Sequence, residues 1–444
     1  MTVDLTLVWA LLIATAIFLY VVMDGFDLGV GILFPAIREK AHRDVMVNTV
    51  APVWDGNETW LILGGGGLFA VFPLAYATLL PALYIPLTLM LLALVFRGVA
   101  FEMRFRSATR MSQTAWDGAF SAGSFVAAFC QGICLGALVQ GVRVEGRAYA
   151  GGWWDWLSPF SILTGLALIA GYGLLGTCWL IWKTEGELQL RAYRLARGFG
   201  LATFAAIAAV SLAMPFLSPA FRGRWFTWPA MAFVAPVPVL VALLGLRLRN
   251  ALDRREEVMP FLCGLGLFLL SYVGLGISLF PMIVPPTVTI WDAATHPSSQ
   301  LFLLVGTVVL LPMILGYTAY VYWLFRGRSP PVPRATIEEP HHVRSRFDAS
   351  PRLVRGTLGR RYRLPHGGRH PAALAAQSHL TLPACALLKL YARLEQSKNF
   401  PPLWGHAGLG KIGLLERHPI RLCRIPLMRG RCSTYLVGSV SARV

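Results

Sequence analysis

The chain has 444 residues, of which 56% are AVILMFWYC and only 14% are charged, with a formal net charge of +18. That composition lies far from the norm for water-soluble globular proteins and excludes that class for most of the chain. The charge is unevenly spread: residues 1–328 carry 21 Lys/Arg against 17 Asp/Glu, whereas residues 329–444 carry 19 against 5, so most of the basic character lies in the C-terminal stretch.

Apolar runs of membrane length predict nine helical spans, at 6–34, 52–72, 79–98, 118–141, 160–182, 198–217, 227–247, 260–284 and 301–325. Each approaches or exceeds the ~20 residues that a bilayer core requires. The fold class read from this pattern is an all-α integral membrane protein. The first run begins after Asp4 with no basic leader and continues past Val22, so it reads as a transmembrane helix and not as a cleavable signal peptide. Lys and Arg alternate between successive loops: odd loops and the C-terminal flank hold 17, even loops hold 4. The positive-inside rule then places the N-terminus outside and the C-terminus in the cytoplasm, which requires an odd number of spans.

Carboxylates inside these spans are the main functional signal, because an acid in hydrocarbon is costly and is kept chiefly for proton or ion handling or for pairing with a cation. Asp24 and Asp27 in VVMDGFDLGVG fall about 28 and 33 Å along the first span, near its cytoplasmic end. Three residues apart, they share a helix face. Asp55 and Glu58 in APVWDGNETWL open the second span from the cytoplasmic side, also on one face. Arg97 and Glu102 close the third span, and Asp117 begins the fourth. Asp24, Asp27, Asp55, Glu58, Arg97 and Asp117 are therefore expected in one cytoplasmic-side layer, with the positive N-terminal ends of the second and fourth helices offered to Asp55 and Asp117. Two readings compete. In one, these groups are helix caps and interfacial ion pairs, which suits Asp117 as an N-cap and Glu102 beside Arg104. In the other, the deeper acids form a proton or cation entry path, with Asp27 and Asp55 as its leading members.

The remaining chemistry is sparse. His42 and His296 are the histidines before residue 329, and both fall in loops, so no span offers a proximal histidine to a haem. No cofactor or metal is therefore expected in this chain. Cys130 and Cys134 stand four apart on one helix face, and they read as packing residues. Glycines such as Gly25 and Gly29, and Gly171, Gly173 and Gly176, recur on helix faces and predict close helix packing in lipid. Residues 329–444 are rich in Arg, Pro and His, with no run of membrane length. They read as a solvated basic cytoplasmic tail within reach of anionic lipid, or as an out-of-frame or fused segment.

Six stretches together carry a family resemblance: DGFDLGVGILFP, APVWDGNETWLILGGGGLFAVFP, LVFRGVAFEMRFR, GGWWDWLSPFSILTG, KTEGELQ and FPMIVPPTVTIWDA. In this order they resemble subunit II of the cytochrome bd-type quinol oxidases, and the GNETWL form is similar to the cyanide-insensitive branch. The match covers residues 1–328. It implies a bacterial inner-membrane protein of nine helices, arranged as two four-helix bundles plus one. It implies a heterodimer with a haem-bearing subunit I that oxidises quinol and reduces dioxygen to water. A small third subunit and a structural quinone are further candidates. The resemblance implies membrane lipid and quinol as contacts, and no nucleic acid. It also associates the acids of the DGFD and WDGN motifs, here Asp27 and Asp55, with a proton route at the subunit interface. The competing class is a secondary transporter with an intramembrane carboxylate ion site. Transporter sites lie near the midplane, often within inverted repeats. Here the acids cluster toward one side.

Overall fold

A computed structural model describes residues 4–107 and 109–329. The reading of residues 329–444 as a tail falls outside these, apart from Ser329. Fourteen helices follow in order among the described residues: α1 (Leu5–Ile32), α2 (Lys40–Val50), α3 (Trp54–Val71), α4 (Pro73–Ala82), α5 (Tyr84–Arg106), α6 (Arg110–Gln140), α7 (Pro159–Lys183), α8 (Gly186–Leu217), α9 (Pro219–Phe226), α10 (Ala230–Val234), α11 (Pro236–Asp253), α12 (Met259–Leu279), α13 (Ile290–Ala293) and α14 (Pro297–Leu324). Two short antiparallel hairpins, β1 (Val144–Glu145) with β2 (Ala148–Tyr149) and β3 (Met282–Val284) with β4 (Val288–Thr289), interrupt the helical pattern in the loops after α6 and α12. A backbone bond from Val142 N–H to the Pro285 carbonyl, 2.9 Å, ties these two loops together.

Among the described residues, seven helices are long and apolar enough to cross a membrane: α1, α5, α6, α7, α8, α12 and α14. The expected spans at 52–72 and 227–247 fall on α3 and α11. Both are diluted by polar residues, α3 by Asp55, Asn57 and Glu58 at its start and α11 by Arg247, Arg249 and Asp253 at its end. Residues 227–234 do not join α11; they include the separate short helix α10.

Helix starts differ from the apolar runs for a common reason. A hydropathy run reports the hydrocarbon-embedded part of a helix, whereas caps lie in the polar zone. The fourth span, expected from residue 118, starts at Arg110, and the Thr109 side chain caps it by accepting from Ser112 N–H at 3.2 Å. Asp117 is therefore two turns inside α6 and is not its N-cap, and the end of the helix dipole does not act on it. Arg97 likewise lies within α5, which runs on to Arg106. Glu102 is exposed and pairs with Arg106, 3.4 Å away on the next turn, and not with Arg104.

The main core packs α1 against α6 and α7, with Phe26, Leu28, Tyr172, Leu175 and Trp179 all buried. Close approach depends on glycine. A Cβ placed on Gly29 would come within 2.8 Å of the Gly176 backbone nitrogen and 2.9 Å of its Cα. Small residues at such crossings let van der Waals packing hold helices together where lipid removes the hydrophobic drive. At the other extreme, Gln300 is the buried residue of α14, which otherwise presents Phe302, Val309 and Tyr317 outward.

Candidate functional site

α1 carries Asp24 and Asp27 on one face, four and seven residues beyond Tyr20. The face is pressed into the bundle, so both acids are buried, with 1% and 0% exposure. α5 delivers Arg97 to the same point, also fully buried. Arg97 Nη1 lies 2.8 Å from Asp24 Oδ1 and 2.9 Å from Glu58 Oε1, and Arg97 Nη2 lies 3.9 Å from Asp27 Oδ2. One cation thus faces three carboxyl groups drawn from α1 and α3.

Asp27 has a second partner that the sequence did not single out. Asn57 Nδ2 donates to Asp27 Oδ2 at 2.7 Å and reaches the Met23 carbonyl at 3.3 Å. The Tyr322 hydroxyl, from the far end of α14, donates to Asn57 Oδ1 at 2.9 Å. Asn57 is itself buried, so its amide is fixed between α1 and α14. The NET triplet beginning at Asn57 could have drawn attention to it, since an amide one residue from an intramembrane acid needs partners of its own. Tyr322 gave no such signal among its aromatic neighbours. Asp27 Oδ1 and Arg97 Nε are buried and make no hydrogen bond among the described residues.

Asp117 belongs to a different group. Arg104 Nε bonds Asp117 Oδ1 through a short contact, Arg104 Nη1 lies 2.6 Å from Asp44 Oδ1, and Arg43 Nη1 lies 3.0 Å from Asp117 Oδ2. Two guanidiniums share two carboxylates there, and Lys40 Nζ lies 3.7 Å from Asp44 Oδ2 as a third cation. Arg43 also donates to the Ile37 and Phe34 carbonyls, 2.6 and 3.0 Å away, pinning the turn between α1 and α2. The two charge groups are divided by an aromatic wall. Trp54 stacks on Phe101 at 5.1 Å between ring centres, Phe101 meets Phe120 at 4.9 Å, and Phe120 meets Phe34 at 4.8 Å. Arg97 faces the Trp54 and Phe101 rings, and Arg104 faces Phe34. The single layer expected from sequence is therefore two clusters. Arg104, Arg43 and Asp44 were missed as its members because pairing across helices leaves no trace in spacing.

Asp55 joins neither cluster. It stands exposed in the first turn of α3, where the helix dipole favours its anion, and makes no hydrogen bond or ion pair among the described residues. Glu58, three residues on, is a quarter exposed. From α3 to α1 the acids thus grade from exposed Asp55 through Glu58 to buried Asp24 and Asp27. Chemically this set can accept, hold and pass a proton, or neutralise a small cation.

Outside the spans, ion pairs fasten the polar ends of the helices. Arg191 bonds the Glu39 carboxylate and holds its pKa down to about 2, from 4.5. The Arg328 guanidinium lowers Glu257, and Arg247 lowers Glu256, through direct hydrogen bonds. Among the described residues no group of three His, Cys, Asp or Glu is arranged to hold a metal ion.

Residues 5–325 match the family of cytochrome bd terminal oxidase subunit II. The chain is 31% identical over 379 residues to cytochrome bd-I ubiquinol oxidase subunit 2 of Escherichia coli strain K12, covering 76% of this chain and 98% of that protein. It is 29% identical over 333 residues to cytochrome bd ubiquinol oxidase subunit 2 of Bacillus subtilis strain 168, covering 72% and 95%. Its fold is similar to a chain in the structure of the bd oxidase from Geobacillus thermodenitrificans, with a TM-score of 0.60 at 18% identity, over 72% of this chain and 98% of that one.

Proposed function

The chain belongs to the cytochrome bd terminal oxidase subunit II family, and from that premise we propose that it is the non-haem membrane subunit of a quinol oxidase and leads protons from the cytoplasm toward the site of oxygen reduction. Quinol supplies the electrons, dioxygen is reduced to water, and water formation consumes protons. The haems are assigned to a partner, subunit I. The described residues offer His42 in the first turn of α2 and His296 at the N-cap of α14, both at helix ends. The relatives found give no support to the secondary-transporter alternative.

In this proposal α3 and α11 also cross the membrane, giving nine spans with the N-terminus outside and the C-terminus cytoplasmic. The alternation of Lys and Arg between loops supports that topology. Residues 329–444 are then a basic cytoplasmic segment. Removing them after Arg328 keeps the Arg328–Glu257 pair and is expected to leave insertion and assembly intact.

The observation that carries the proton reading is the graded series of acids, from exposed Asp55 to Glu58, Asp24 and Asp27, the last three converging on Arg97. Asp55 exchanges protons with water, Glu58 sits half-way in, and Asp24 and Asp27 hold the buried end. Asp55 remains the leading single carboxylate, because it is the exposed member of the series and stands in the first turn of α3, where the helix dipole favours its anion. The test is oxygen consumption per haem in the assembled complex. Asp55→Asn and Asp27→Asn are each expected to slow turnover by about 100-fold, the scale of a positioned proton carrier, with haem content kept. The double variant is expected to be less than additive, as for two groups on one path. Wild-type turnover in both single variants would remove the proton path and leave this chain as a scaffold for its partner.

A further inference from the structure

Away from the acid clusters, α8 and α11 splay apart and enclose a cavity of about 530 Å³ that opens on the outside of the bundle. Its walls are apolar, with Gly200, Leu201 and Phe204 from α8 and Ala242, Gly245 and Leu246 from α11. Phe204 closes the inner end by packing over Gly245: a Cβ at Gly245 would lie 2.6 Å from the ring. Gly200 keeps the floor low, its nearest neighbour being Leu248 at 3.7 Å from a built Cβ. The α11 wall runs from Ala242 to Asp253, roughly 16 Å of helix at 1.5 Å per residue.

The other end is polar and cationic. Arg197, Arg249 and Asp253 line it. Arg197 is engaged with Asp253 at 3.1 Å. Arg249 is exposed and has no ion pair or hydrogen bond among the described residues. Two guanidiniums against one carboxylate leave one positive charge in excess at the mouth of an apolar slot.

The pairing of an apolar slot with a cationic mouth decides what fits. An apolar helix would cover the slot and leave the excess charge at the mouth without a partner. A soluble anion would use the mouth and leave the slot empty of partners. An amphiphile with a flexible apolar chain and an anionic head uses both. Basic pockets between membrane helices suit such head groups. We propose that the groove between α8 and α11 binds an anionic phospholipid, one acyl chain lying against Leu201, Phe204 and Leu246 and the phosphate meeting Arg249 and Arg197.

The test uses the purified, delipidated oxidase complex and native mass spectrometry, with phosphatidylglycerol or phosphatidylcholine of matched chains added back. The wild type is expected to retain phosphatidylglycerol in preference to phosphatidylcholine. The double variant Arg197→Gln, Arg249→Gln is expected to lose roughly 10- to 30-fold in phosphatidylglycerol affinity, the scale of two basic residues at an anionic lipid surface. Ala242→Phe, at an exposed position, fills the slot and is expected to abolish retention with both arginines in place. Haem content serves as the folding control for each variant. Equal retention of the two lipids by the wild type, or unchanged phosphatidylglycerol retention in both variants, would overturn the proposal. So would a photoreactive side chain at Leu246 that captures a protein subunit and no lipid.

Discussion

Arg97 on α5 and Asp24 on α1 meet at 2.8 Å with both side chains cut off from solvent. The pair joins two helices far apart in sequence, and Arg97 is the cation that Asp27 and Glu58 share. Removing one partner of a buried ion pair is far more damaging than replacing the whole set, because charge is left stranded. Arg97→Gln is therefore expected to cost about 3–5 kcal/mol and to deplete assembled complex from the membrane. Quantifying haem-containing complex extracted from equal membrane amounts checks this. A wild-type yield would show that the acids do not depend on Arg97 for their place in the bundle.

Asp24 and Asp27 were legible in the sequence, since two acids three apart in a long apolar run share one buried helical face. Glu58 and Arg97 were expected in the same layer, whereas Asn57 and Tyr322 were not. Arg97 was expected at a helix end, because the apolar run stops there, yet α5 continues past it to Arg106. The polar turns that lengthen α5, α6 and α8 beyond their apolar runs are helical through capping and packing, which hydropathy does not register. Asp117 was misplaced for this reason: its helix begins at Arg110, capped by Thr109. Asn57 and Tyr322 sit on elements 265 residues apart, and only the folded chain brings them together.

Tyr322 orients the Asn57 amide so that its nitrogen faces Asp27. Tyr322→Phe removes that donor and leaves a buried carbonyl oxygen short of a partner. The expected loss is about 1 kcal/mol, seen as a lower melting temperature of the complex, together with slower oxygen consumption if Asp27 loses its fixed neighbour. Unchanged turnover with a lowered melting temperature would confine Tyr322 to holding α14.

Two glycine substitutions are expected to diverge. Gly29→Ala drives a methyl group into the backbone of α7 at Gly176 and should abolish complex formation. Gly118→Ala, with nothing within 4 Å of its Cβ, should leave the complex intact and gain up to about 1 kcal/mol of helix stability. Purified yield and thermal unfolding of each variant decide the matter; equal behaviour would contradict the close α1–α7 crossing.

The Glu39–Arg191 pair predicts an acid-limb effect. Its folded pKa, about 2, is depressed below the ordinary 4.5, so its stabilisation is present above pH 4.5 and is lost as pH falls toward 2. Melting curves of the complex at pH 6 and pH 3 should show a smaller fall for Glu39→Gln than for the wild type. The effect should fade in high salt, because the pair is exposed.

The contacts of α14 also set an order of events during synthesis. Its polar attachments reach back to the start of the chain: Gln300 accepts from the Trp9 indole through its backbone carbonyl and donates to Thr6, while Tyr322 closes over Asn57. At 5–20 residues per second, a ribosome that has finished Asn57 needs roughly 15 to 50 s more to deliver Tyr322. For most of that interval α1 and α3 are already made, with Asp27 and Asn57 lacking their last neighbour. The acid cluster is thus among the first parts of the protein to be translated and among the last to be sealed.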